Sequence, residues 1–374
     1  MSAVAYSLTE EQVLRCRMRS QRLASSSPAD VAGAVHSMTA LQAQSTRDAR
    51  LAVRPRADGI DASAVRAACN QARSVVRTWA MRVTLHMLAA SDTGWIVDLY
   101  RPPASAVSRR QRQLGLDEDL LARALPAIAE VLSERGPLTR AGLVAELARA
   151  GVTVNPVGQA PAHLVSYAAR QGLICRGAET DDDEPTYALL ADWIGEHEPV
   201  APGRSVAELA RRFIRSRGPV GPGDFAYWSG LPLGTARRGF DLAAGEFAEA
   251  DVAGEPAWMD PVLELADHDA GGPLVRLVPH FDEYLLSYRS RLMALPDRYA
   301  ARIQAGGGWV RAAVVADGRI VGTWAQERKR GEITVSVTPF GRLDPAFLPG
   351  LEGKAADLGR FQGMPASLEV AAVA

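Results

Sequence analysis

Lysine and cysteine are scarce in this 374-residue chain, which has only Lys329, Lys354, Cys16, Cys69 and Cys175. The cysteines are far apart and form no Cys-x-x-Cys pair, which argues against a zinc site and a disulfide framework and for a reducing compartment. No apolar run approaches the length of a membrane span, and the first residues lack a signal peptide's basic start and apolar stretch. We therefore expect a cytoplasmic protein with no membrane segment, no metal and no other cofactor.

Composition and charge are those of an ordinary globular protein in which arginine is unevenly placed. Hydrophobic residues make up 47% of the chain and charged residues 23%, and the length suits two to four modules. The net charge is −1, but residues 1–115 carry 16 Arg against 8 Asp and Glu, which leaves this part at +8 and the remainder at −9. A basic third within a balanced protein favours a nucleic-acid partner over a randomly charged surface.

The periodicity of apolar residues predicts an α+β chain of four modules. Residues 116–200 have the winged-helix order of three helices followed by a two-stranded wing, and residues 201–272 repeat that plan. Residues 273–374 have a periodicity of two and are expected to form a β-barrel-like module. Residues 1–115 form the first module. The sequence thus predicts tandem winged-helix motifs followed by a small barrel.

The two repeated modules have clear element signals. The second is expected to have helices at 117–134, 139–149 and 158–171 and wing strands at 173–176 and 186–189. The third is expected to have helices at 205–217, 223–229 and 233–241, followed by a wing through Phe247 and Trp258. The acidic tip of the second wing, Asp181-Asp182-Asp183-Glu184, would be repelled by phosphate, which suggests that this wing does not lie on DNA.

The outer modules are less regular. In the first, we expect a capped helix from Leu8, a second helix opening at Pro28-Ala29-Asp30 and ending near Gln42, a third at 62–71, and an extended stretch that becomes helical near Leu85. Arg109 to Arg112 is expected to be a basic linker. In the last module, strands are expected at 274–278, 309–315, 320–324 and 332–337, with a type I′ hairpin turn at Asp317-Gly318.

Two glutamines form the most informative motif of the chain, Gln42-Ala43-Gln44. Side chains at i and i+2 do not share a helix face, so the two amides can act on one spot only if the chain leaves the helix there. Each amide offers a carbonyl acceptor and an NH2 donor, which can hold and aim a water but cannot take a proton as a carboxylate can. Helix-capping amides are the structural alternative.

Four further segments are informative: Arg77-Thr78-Trp79, Arg82-Val83-Thr84-Leu85-His86, the run from Pro279 to Tyr288, and the run from Asp317 to Trp324. Together with the glutamine motif, they resemble the HTH_42 winged-helix superfamily. Within it, the Gln-Ala-Gln motif is similar to that of the AlkZ-like DNA glycosylases, which give resistance to azinomycin and related DNA-alkylating natural products. A sister branch has Gln-apolar-Asp, and Gln44 puts the resemblance in the resistance branch. The resemblance covers about residues 8–341.

The resemblance implies a fold and an activity. Three winged-helix motifs and a C-terminal β-barrel would form a concave DNA-binding surface, with Gln42 and Gln44 catalytic. The reaction would be hydrolysis of the N-glycosidic bond of a cationic N7-alkylguanine, which gives an abasic site. An alkylated guanine already has a positive charge and leaves readily, so the enzyme need supply only a positioned water and a stabilising field. The expected partner is double-stranded DNA carrying alkylated purines, bound by a monomer.

Several other residues are candidates for DNA contacts. We expect phosphate contacts from basic side chains in the first module, although surface or connector roles are the alternative: Arg47, Arg50, Arg77, Arg82, Arg109, Arg110 and Arg112. The turn at Asp317, Gly318 and Arg319 is a candidate hairpin for the minor groove, and an ordinary barrel hairpin is the alternative. Because a bulky adduct does not flip easily, attack on a base left stacked is also open.

A few titratable residues have structural interpretations that we prefer. Asp48 could act as a base, but pairing with Arg47 or capping suits it better. His86 lies among apolar residues, which is typical of a core histidine. Asp282 and Glu283 suggest a carboxylate pair such as glycosidases use, but adjacent side chains point apart and their neighbours are apolar, so we expect a structural role.

Two functions other than a glycosylase remain open from the sequence. A non-catalytic winged-helix regulator would read DNA from the third helix of a repeated module, where basic or polar residues are few: His163, Ser166, Arg170, Arg237 and Arg238. A protein that sequesters the genotoxin would instead have an apolar pocket and bind the compound without DNA. Release of an alkylated base from DNA separates the glycosylase from both.

The scarcity of lysine generates a prediction about strand cleavage. Bifunctional glycosylases cut the strand through an amine Schiff base, usually on Lys, and residues 1–328 contain no Lys. We therefore expect a monofunctional enzyme whose product strand stays intact until heated in alkali. Borohydride trapping on N7-alkylguanine DNA should yield no covalent protein–DNA species. A trapped adduct would contradict the prediction.

Overall fold

A computed structural model of the protein describes residues 6–24, 30–103, 105–180, 182–263 and 272–372. Pro28 and Ala29 of the predicted helix start, and Asp181 of the acidic tip, lie outside these ranges. The chain forms two compact units: residues 1–65 and 206–374 are unit 1, and residues 66–205 are unit 2. The four modules named from the sequence are successive stretches of the chain and do not coincide with these two units. The module boundaries stay a prediction.

The N-terminal part of the chain alternates short strands and helices: β1 (Tyr6–Leu8), α1 (Glu10–Ser20), α2 (Val31–Ser37), β2 (Leu41–Gln42), α3 (Thr46–Val53), a 3-10 turn (Arg54–Arg56) and α4 (Ala62–Asn70). Side chains of Thr9, Asp30 and Ser45 cap α1, α2 and α3 by accepting backbone N–H groups of the first turn. The prediction that the second helix runs to near Gln42 is wrong. It ends at Ser37, and Thr39 has a positive φ of 64° that takes the chain into β2.

Unit 2 continues with β3 (Val75–Trp79), β4 (Leu85–Ala89), α5 (Ala90–Tyr100), α6 (Arg109–Gln113), α7 (Glu118–Arg135), β5 (Leu138–Thr139), α8 (Arg140–Arg149), α9 (Ala160–Arg170), β6 (Ile174–Glu179), β7 (Pro185–Leu189) and α10 (Leu190–Ile194). Its strands lie in the order β4-β3-β6-β7-β5, each pair antiparallel. The predicted helices and the two predicted strands of the second module are confirmed within a few residues. Apolar side chains of the three helices form its core, among them Ile128, Leu143 and Leu164.

One expectation for unit 2 is wrong, and another gains a defined conformation. Residues 85–89 are a strand and not the start of a helix, because a tight turn with positive φ at Arg82 and Val83 returns the chain to pair with β3. The expected basic linker at Arg109 to Arg112 is the short helix α6, since Ser108 and Gln111 form a capping box that begins a helix there.

The third module lies mostly in unit 1 and repeats the order of elements. It contains α11 (Pro202–Arg217), α12 (Pro222–Ser229), α13 (Leu233–Ala244), β8 (Ala248–Val252) and β9 (Glu255–Met259). Val220 forms a β-bridge with Trp258 of β9, as β5 pairs with β7 in unit 2. Aromatic rings of Phe213, Phe225, Trp228 and Phe240 pack in the core of this module. The predicted helices are confirmed.

The C-terminal module is an open sheet and not a closed barrel. Its elements are β10 (Val275–Val278), α14 (Glu283–Leu286), α15 (Ala300–Ile303), β11 (Ala313–Ala316), β12 (Arg319–Lys329), β13 (Glu332–Pro339), α16 (Leu348–Gln362) and β14 (Ala366–Val370). The strand order is β10-β11-β12-β13-β14, and within the described ranges the edge strands β10 and β14 do not pair with each other. Helix α16, which the sequence pattern did not predict, connects β13 to the parallel strand β14 and packs on the sheet.

Each helix in the described ranges is too short or too polar to cross a lipid bilayer. The mixed α+β class expected from the sequence is confirmed. The two sides of the C-terminal sheet are covered differently. Helix α16 buries Leu351, Leu358 and Phe361, while a second cluster joins Met18 of α1 to Phe281 and neighbouring residues.

Two hairpin turns of the C-terminal sheet allow a matched test of packing. Asp317-Gly318 and Arg330-Gly331 each have two positive φ angles, as a type I′ turn requires. A Cβ on Gly318 would lie 2.6 Å from Leu14 Cβ, whereas one on Gly331 would meet nothing within 4 Å.

We expect Gly318→Ala to lower the free energy of unfolding more than Gly331→Ala. Both variants carry the left-handed backbone cost of about 1–2 kcal/mol, and only Gly318→Ala adds an overpacking cost of about 1–3 kcal/mol. Urea unfolding of the two variants measures the difference. Equal losses would show that the Gly318 turn does not depend on its packing against α1.

Candidate active site and DNA-binding surface

The Gln42-Ala43-Gln44 motif lies where the chain has become extended. Leu41 and Gln42 form β2, and α3 begins only at Thr46. Leu41 and Ala43 are buried, Gln42 is half-buried and Gln44 is exposed. This alternation is the period-two pattern of extended backbone, in which i and i+2 share a face. The condition for the two amides to act on one spot, that the chain is not helical at the motif, is therefore met, and the helix ends earlier than predicted, at Ser37.

A buried ion pair holds the strand that carries the motif. Glu283 Oε2 accepts hydrogen bonds from Arg217 Nη2 at 2.9 Å and from Trp228 Nε1 at 2.8 Å. Its other oxygen, Oε1, accepts the backbone N–H of Gln42 at 3.1 Å. The Arg217 guanidinium in turn donates to the carbonyl oxygens of Met38 at 2.8 Å and Ala40 at 3.3 Å. Three backbone groups between 38 and 42 are therefore bonded to one ion pair.

The neighbouring carboxylate holds the other end of the same segment. Asp282 forms a bidentate pair with Arg56, with Nη1–Oδ2 at 2.7 Å and Nη2–Oδ1 at 2.8 Å. Arg56 also donates to the carbonyl oxygen of Ala52 at the end of α3 and to that of Gln21. Adjacent carboxylates thus point to two different arginines, and residues 38–56 are bonded at both ends.

The burial of these charges is nearly complete. Arg56 and Arg217 are 0% exposed, and Asp282 and Glu283 are each 1% exposed. Burial lowers the pKa of the Arg217 guanidinium, and the charge of Glu283 opposes that shift. Because each carboxylate is bonded to an arginine, neither suits acid–base catalysis, which agrees with the structural role expected for them. The amides of Gln42 and Gln44 remain as the polar groups of the motif.

Basic side chains gather beside the motif in unit 1. Arg47 is exposed in the first turn of α3, and desolvation, followed by the positive charge of Arg328, lowers its pKa. Lys329 and Arg330 are exposed at the turn between β12 and β13. Arg50, on the next turn of α3, is half-buried. Arg47, Arg328, Lys329 and Arg330 form a surface suited to a polyanion, which we call the basic rim.

Sequence reasoning missed the part of the basic rim that comes from the sheet. The Asp-Gly turn drew attention because Asp-Gly is the stronger hairpin signal. Arg330-Gly331 has the same backbone conformation. The signal in the sequence for a basic surface at this turn is the run Arg328-Lys329-Arg330, which contains one of the chain's two lysines.

The predicted minor-groove turn is packed against the protein. Gly318 is buried, and Tyr284 donates its hydroxyl to the Gly318 carbonyl oxygen at 2.6 Å. Asp317 accepts the backbone N–H of Leu274 at 2.8 Å, and Arg319 lies 3.4 Å from Glu10. The type I′ turn itself is confirmed. Its burial against α1 favours the ordinary hairpin over the minor-groove role.

The predicted DNA contacts in unit 2 differ in their availability. Arg77 is 5% exposed and forms a buried ion pair with Glu179 at 2.6 Å, so a phosphate contact by Arg77 is not supported. Arg82 is half-buried in the turn between β3 and β4. The exposed residues of α6 are partly engaged, because Arg110 donates to Gln159 at 2.8 Å and Arg112 pairs with Glu118. Their DNA contacts remain a proposal.

Other titratable groups fall in structural places. His86 is 0% exposed, with Nδ1 2.9 Å from the Thr84 carbonyl oxygen, as expected of a core histidine. The three cysteines are buried thiols, and burial raises the pKa of Cys175 to about 12. Within the described ranges, the His, Cys, Asp and Glu side chains form no cluster of three or more that could hold a metal ion.

The buried pair makes Glu283 a sensitive position for stability. Glu283→Ala should lower the free energy of unfolding by about 3–5 kcal/mol, because the Arg217 charge is left buried without its partner. Glu283→Gln, which keeps an acceptor oxygen, should lose less. Glu255→Ala, at a carboxylate 79% exposed beside Arg289, is the control and should change little. Urea unfolding checks all three. If Glu283→Ala lowers the free energy of unfolding no more than Glu255→Ala does, the Glu283–Arg217 ion pair does not hold the strand of Gln42.

Comparisons with known proteins agree with this geometry. The model of the family described as "DNA glycosylase AlkZ-like" matches residues 35–361. The "Interstrand DNA cross-link repair glycosylase" of Streptomyces sahachiroi is 27% identical over 370 residues, which cover 94% of this chain and 96% of that protein. The solved structure of Streptomyces sahachiroi DNA glycosylase AlkZ has a TM-score of 0.81 at 24% identity and covers 98% of this chain and 100% of that one.

The family match spans most of the chain and includes both the glutamine motif and the acidic pair that holds it. The structural likeness shows the same fold over nearly the whole length. The protein therefore belongs to the AlkZ-like DNA glycosylase family.

Proposed function

We propose that this DNA glycosylase is a monofunctional enzyme that hydrolyses the N-glycosidic bond of cationic N7-alkylguanine lesions in double-stranded DNA and leaves an abasic site. The observation that carries the proposal is the extended Gln42-Ala43-Gln44 segment, whose backbone at Gln42 is bonded to the buried Glu283 carboxylate. The amide pair resembles the family's glutamine motif, and the carboxylates of Asp282 and Glu283 are bonded to buried arginines. We further propose that it acts as a cytoplasmic monomer.

The chemistry follows from what an amide can and cannot do. Gln42 and Gln44 would hold a water with their carbonyl oxygens and NH2 groups and direct it at the anomeric carbon. They would not remove a proton before attack, so bond cleavage must lead. A guanine alkylated at N7 leaves as a neutral base, and the sugar becomes oxocarbenium-like in the transition state. A substrate with this leaving group matches a site without a strong base.

Preorganisation supports the proposal. A water held by two side chains helps only if the backbone beneath them does not move, because misplacement of a reacting group loses much of the rate gain. The Glu283 carboxylate bonds the amide of Gln42 itself, and Arg217 bonds the carbonyl oxygens of Met38 and Ala40. These contacts hold the backbone of residues 38–42, which supports a motif that is preorganised before DNA binds.

The DNA-binding surface is proposed from charge and from the order of elements. The sequence helix, strand, helix, helix, strand, strand occurs in α7 to β7, and again from α11 through Val220 to β9. We propose that both are winged-helix motifs. We also propose that residues 1–115 contain another, divergent winged helix, which is the first in the chain. We propose the basic rim next to Gln44, together with Arg50, Arg82 and the exposed arginines of α6, as phosphate contacts.

The size of the lesion is also part of the proposal. The Streptomyces sahachiroi relative is named as an interstrand cross-link repair glycosylase. We propose that this protein likewise accepts bulky N7 adducts or crosslinks of the kind that DNA-alkylating natural products make, in self-resistance or repair. Membership of a glycosylase family favours this over a non-catalytic regulator or a protein that sequesters the genotoxin.

Removal of either amide should abolish most of the rate. We expect Gln42→Ala and Gln44→Ala each to slow single-turnover release of N7-methylguanine from duplex DNA by about 100-fold or more, as loss of a preorganised polar group at a reacting centre does. Gln113→Ala, at an exposed amide of unit 2, is the control and should be unaffected. DNA affinity should stay near that of the wild type in all three.

Two outcomes would contradict the proposed function. Release at near wild-type rates by both glutamine variants would remove the motif from catalysis. A wild-type protein that binds the DNA but yields no alkali-sensitive site would remove N7-alkylguanine from the substrates. A duplex containing N7-methylguanine tests the reaction itself, and a crosslinked duplex tests whether bulky lesions are accepted.

A further inference from the structure

A cavity of about 310 Å³ opens directly after the glutamine motif. It lies within unit 1, and its walls come from the start of α3 and from the C-terminal module. Ser45, Arg47 and Asp48 line one side, immediately after Gln44 in the chain. The volume is at the lower end of that of small-molecule sites, which suits one planar ring system better than a whole natural product.

One wall of the cavity is aromatic and firmly supported. Trp309 is 45% exposed, although its ring packs edge-on against Phe281 with centroids 4.8 Å apart and lies 5.3 Å from His280. The indole of Trp324 is buried deeper and donates to the Val278 carbonyl oxygen at 2.7 Å. A supported ring with a large exposed area is a stacking platform for a base.

The chain builds a special turn to present this ring. Three consecutive glycines at 306–308 all have positive φ, between 58° and 86°, and a Cβ on any of them would meet nothing within 4 Å. The turn is closed by the backbone bridge between Gln304 and Val310. Since side chains there would be unhindered, the glycines are required by the backbone conformation that brings the Trp309 ring to the cavity.

On another wall, a chain of hydrogen bonds orients the amide of Gln326. Arg328 is only a donor, so the Gln362 carbonyl oxygen must accept from it, which leaves the Gln362 NH2 group to donate to Gln326 Oε1 at 2.8 Å. The NH2 group of Gln326 is then the half of that amide left for a ligand. The cavity therefore has a fixed donor on the wall that Gln326 forms.

Asp48 supplies the complementary acceptor. Within the described ranges its carboxylate accepts no hydrogen bond, and its backbone N–H binds the Ser45 cap at 3.3 Å. Guanine has N1–H and N2–H donors beside the O6 acceptor on one edge. Asp48 could accept from the two N–H groups and Gln326 could donate to O6, while a positively charged ring would stack favourably on Trp309.

We propose that this cavity binds the N7-alkylated guanine itself, turned out of the duplex, with Trp309 stacking on the ring and Asp48 and Gln326 reading its edge. This inference rests on the proposed function, because it names where the substrate base of that reaction sits. It favours displacement of the base over attack on a stacked one. A bulky N7 substituent would extend past the exposed mouth of the cavity.

Binding can be measured without catalysis. The probes are N7-methylguanosine monophosphate, guanosine monophosphate and adenosine monophosphate, titrated in mildly acidic buffer where the methylated base keeps its charge. We expect saturable quenching of tryptophan fluorescence by the methylated nucleotide, with a Kd about ten-fold lower than for the other two. Trp309→Ala should remove most of the quenching, Trp309→Phe should retain binding measured by calorimetry, and Asp48→Asn should raise the Kd for the methylated nucleotide.

The control is an aromatic residue of similar fractional exposure. Tyr6→Ala truncates an aromatic residue of unit 1 that is 43% exposed, and it should quench and bind like the wild type. The inference is overturned by absence of saturable quenching in the wild type, by equal Kd values for the three nucleotides, or by unchanged quenching in Trp309→Ala.

Kinetics separate this inference from the proposed function. Trp309→Ala and Asp48→Asn should slow single-turnover release of N7-methylguanine by about ten-fold or more, the scale of losing one stacked base contact. If both keep the wild-type rate while Gln42→Ala does not, the cavity proposal fails and the proposed function stands. If the wild type releases no base, the proposed function fails, and the fluorescence titration still decides whether the cavity takes the base.

Discussion

The two buried arginine–carboxylate pairs fix the part of the chain on which everything at the site depends. Glu283 with Arg217 bonds the strand of Gln42, and Asp282 with Arg56 bonds the end of the helix that follows. Pairs of this kind contribute little net stability, since desolvation offsets their attraction. Their value here is specificity: a misplaced strand would leave buried charges without partners, which makes alternative positions of the motif costly.

This arrangement separates the acidic residues from the chemistry. The carboxylates of the Asp282-Glu283 pair neutralise arginines inside the protein, so the groups left at the motif are amides, and amides suit a substrate that already has a good leaving group. The same segment continues into Ser45, Arg47 and Asp48, which line the cavity beside Trp309. Water activation, phosphate attraction and base recognition can thus be assigned to one short stretch of chain and the sheet against which it lies.

Much of the fold could be predicted from local signals. Caps and apolar periodicity located the helices of the two repeated modules, and Asp317-Gly318 located a type I′ turn. The errors occurred where tertiary contacts override local preference. Residues 85–89 form a strand and not a helix because they pair with β3. The C-terminal module is an open sheet and not the predicted barrel, because α16 connects β13 to the parallel strand β14.

The sequence alone determined the residue types available for chemistry: two amides at i and i+2, many arginines and almost no lysine, since these are matters of composition and spacing. Only the tertiary structure decided which charges face solvent. Arg77 and Arg217 are equally basic in the sequence, yet both are buried in ion pairs, whereas Arg47 is exposed. Likewise, Trp309 and Gln326 are 265 or more residues from Gln44 in the chain, yet they line a cavity beside that motif. Only long-range packing brings them there, because no local pattern encodes contacts across such a distance in sequence.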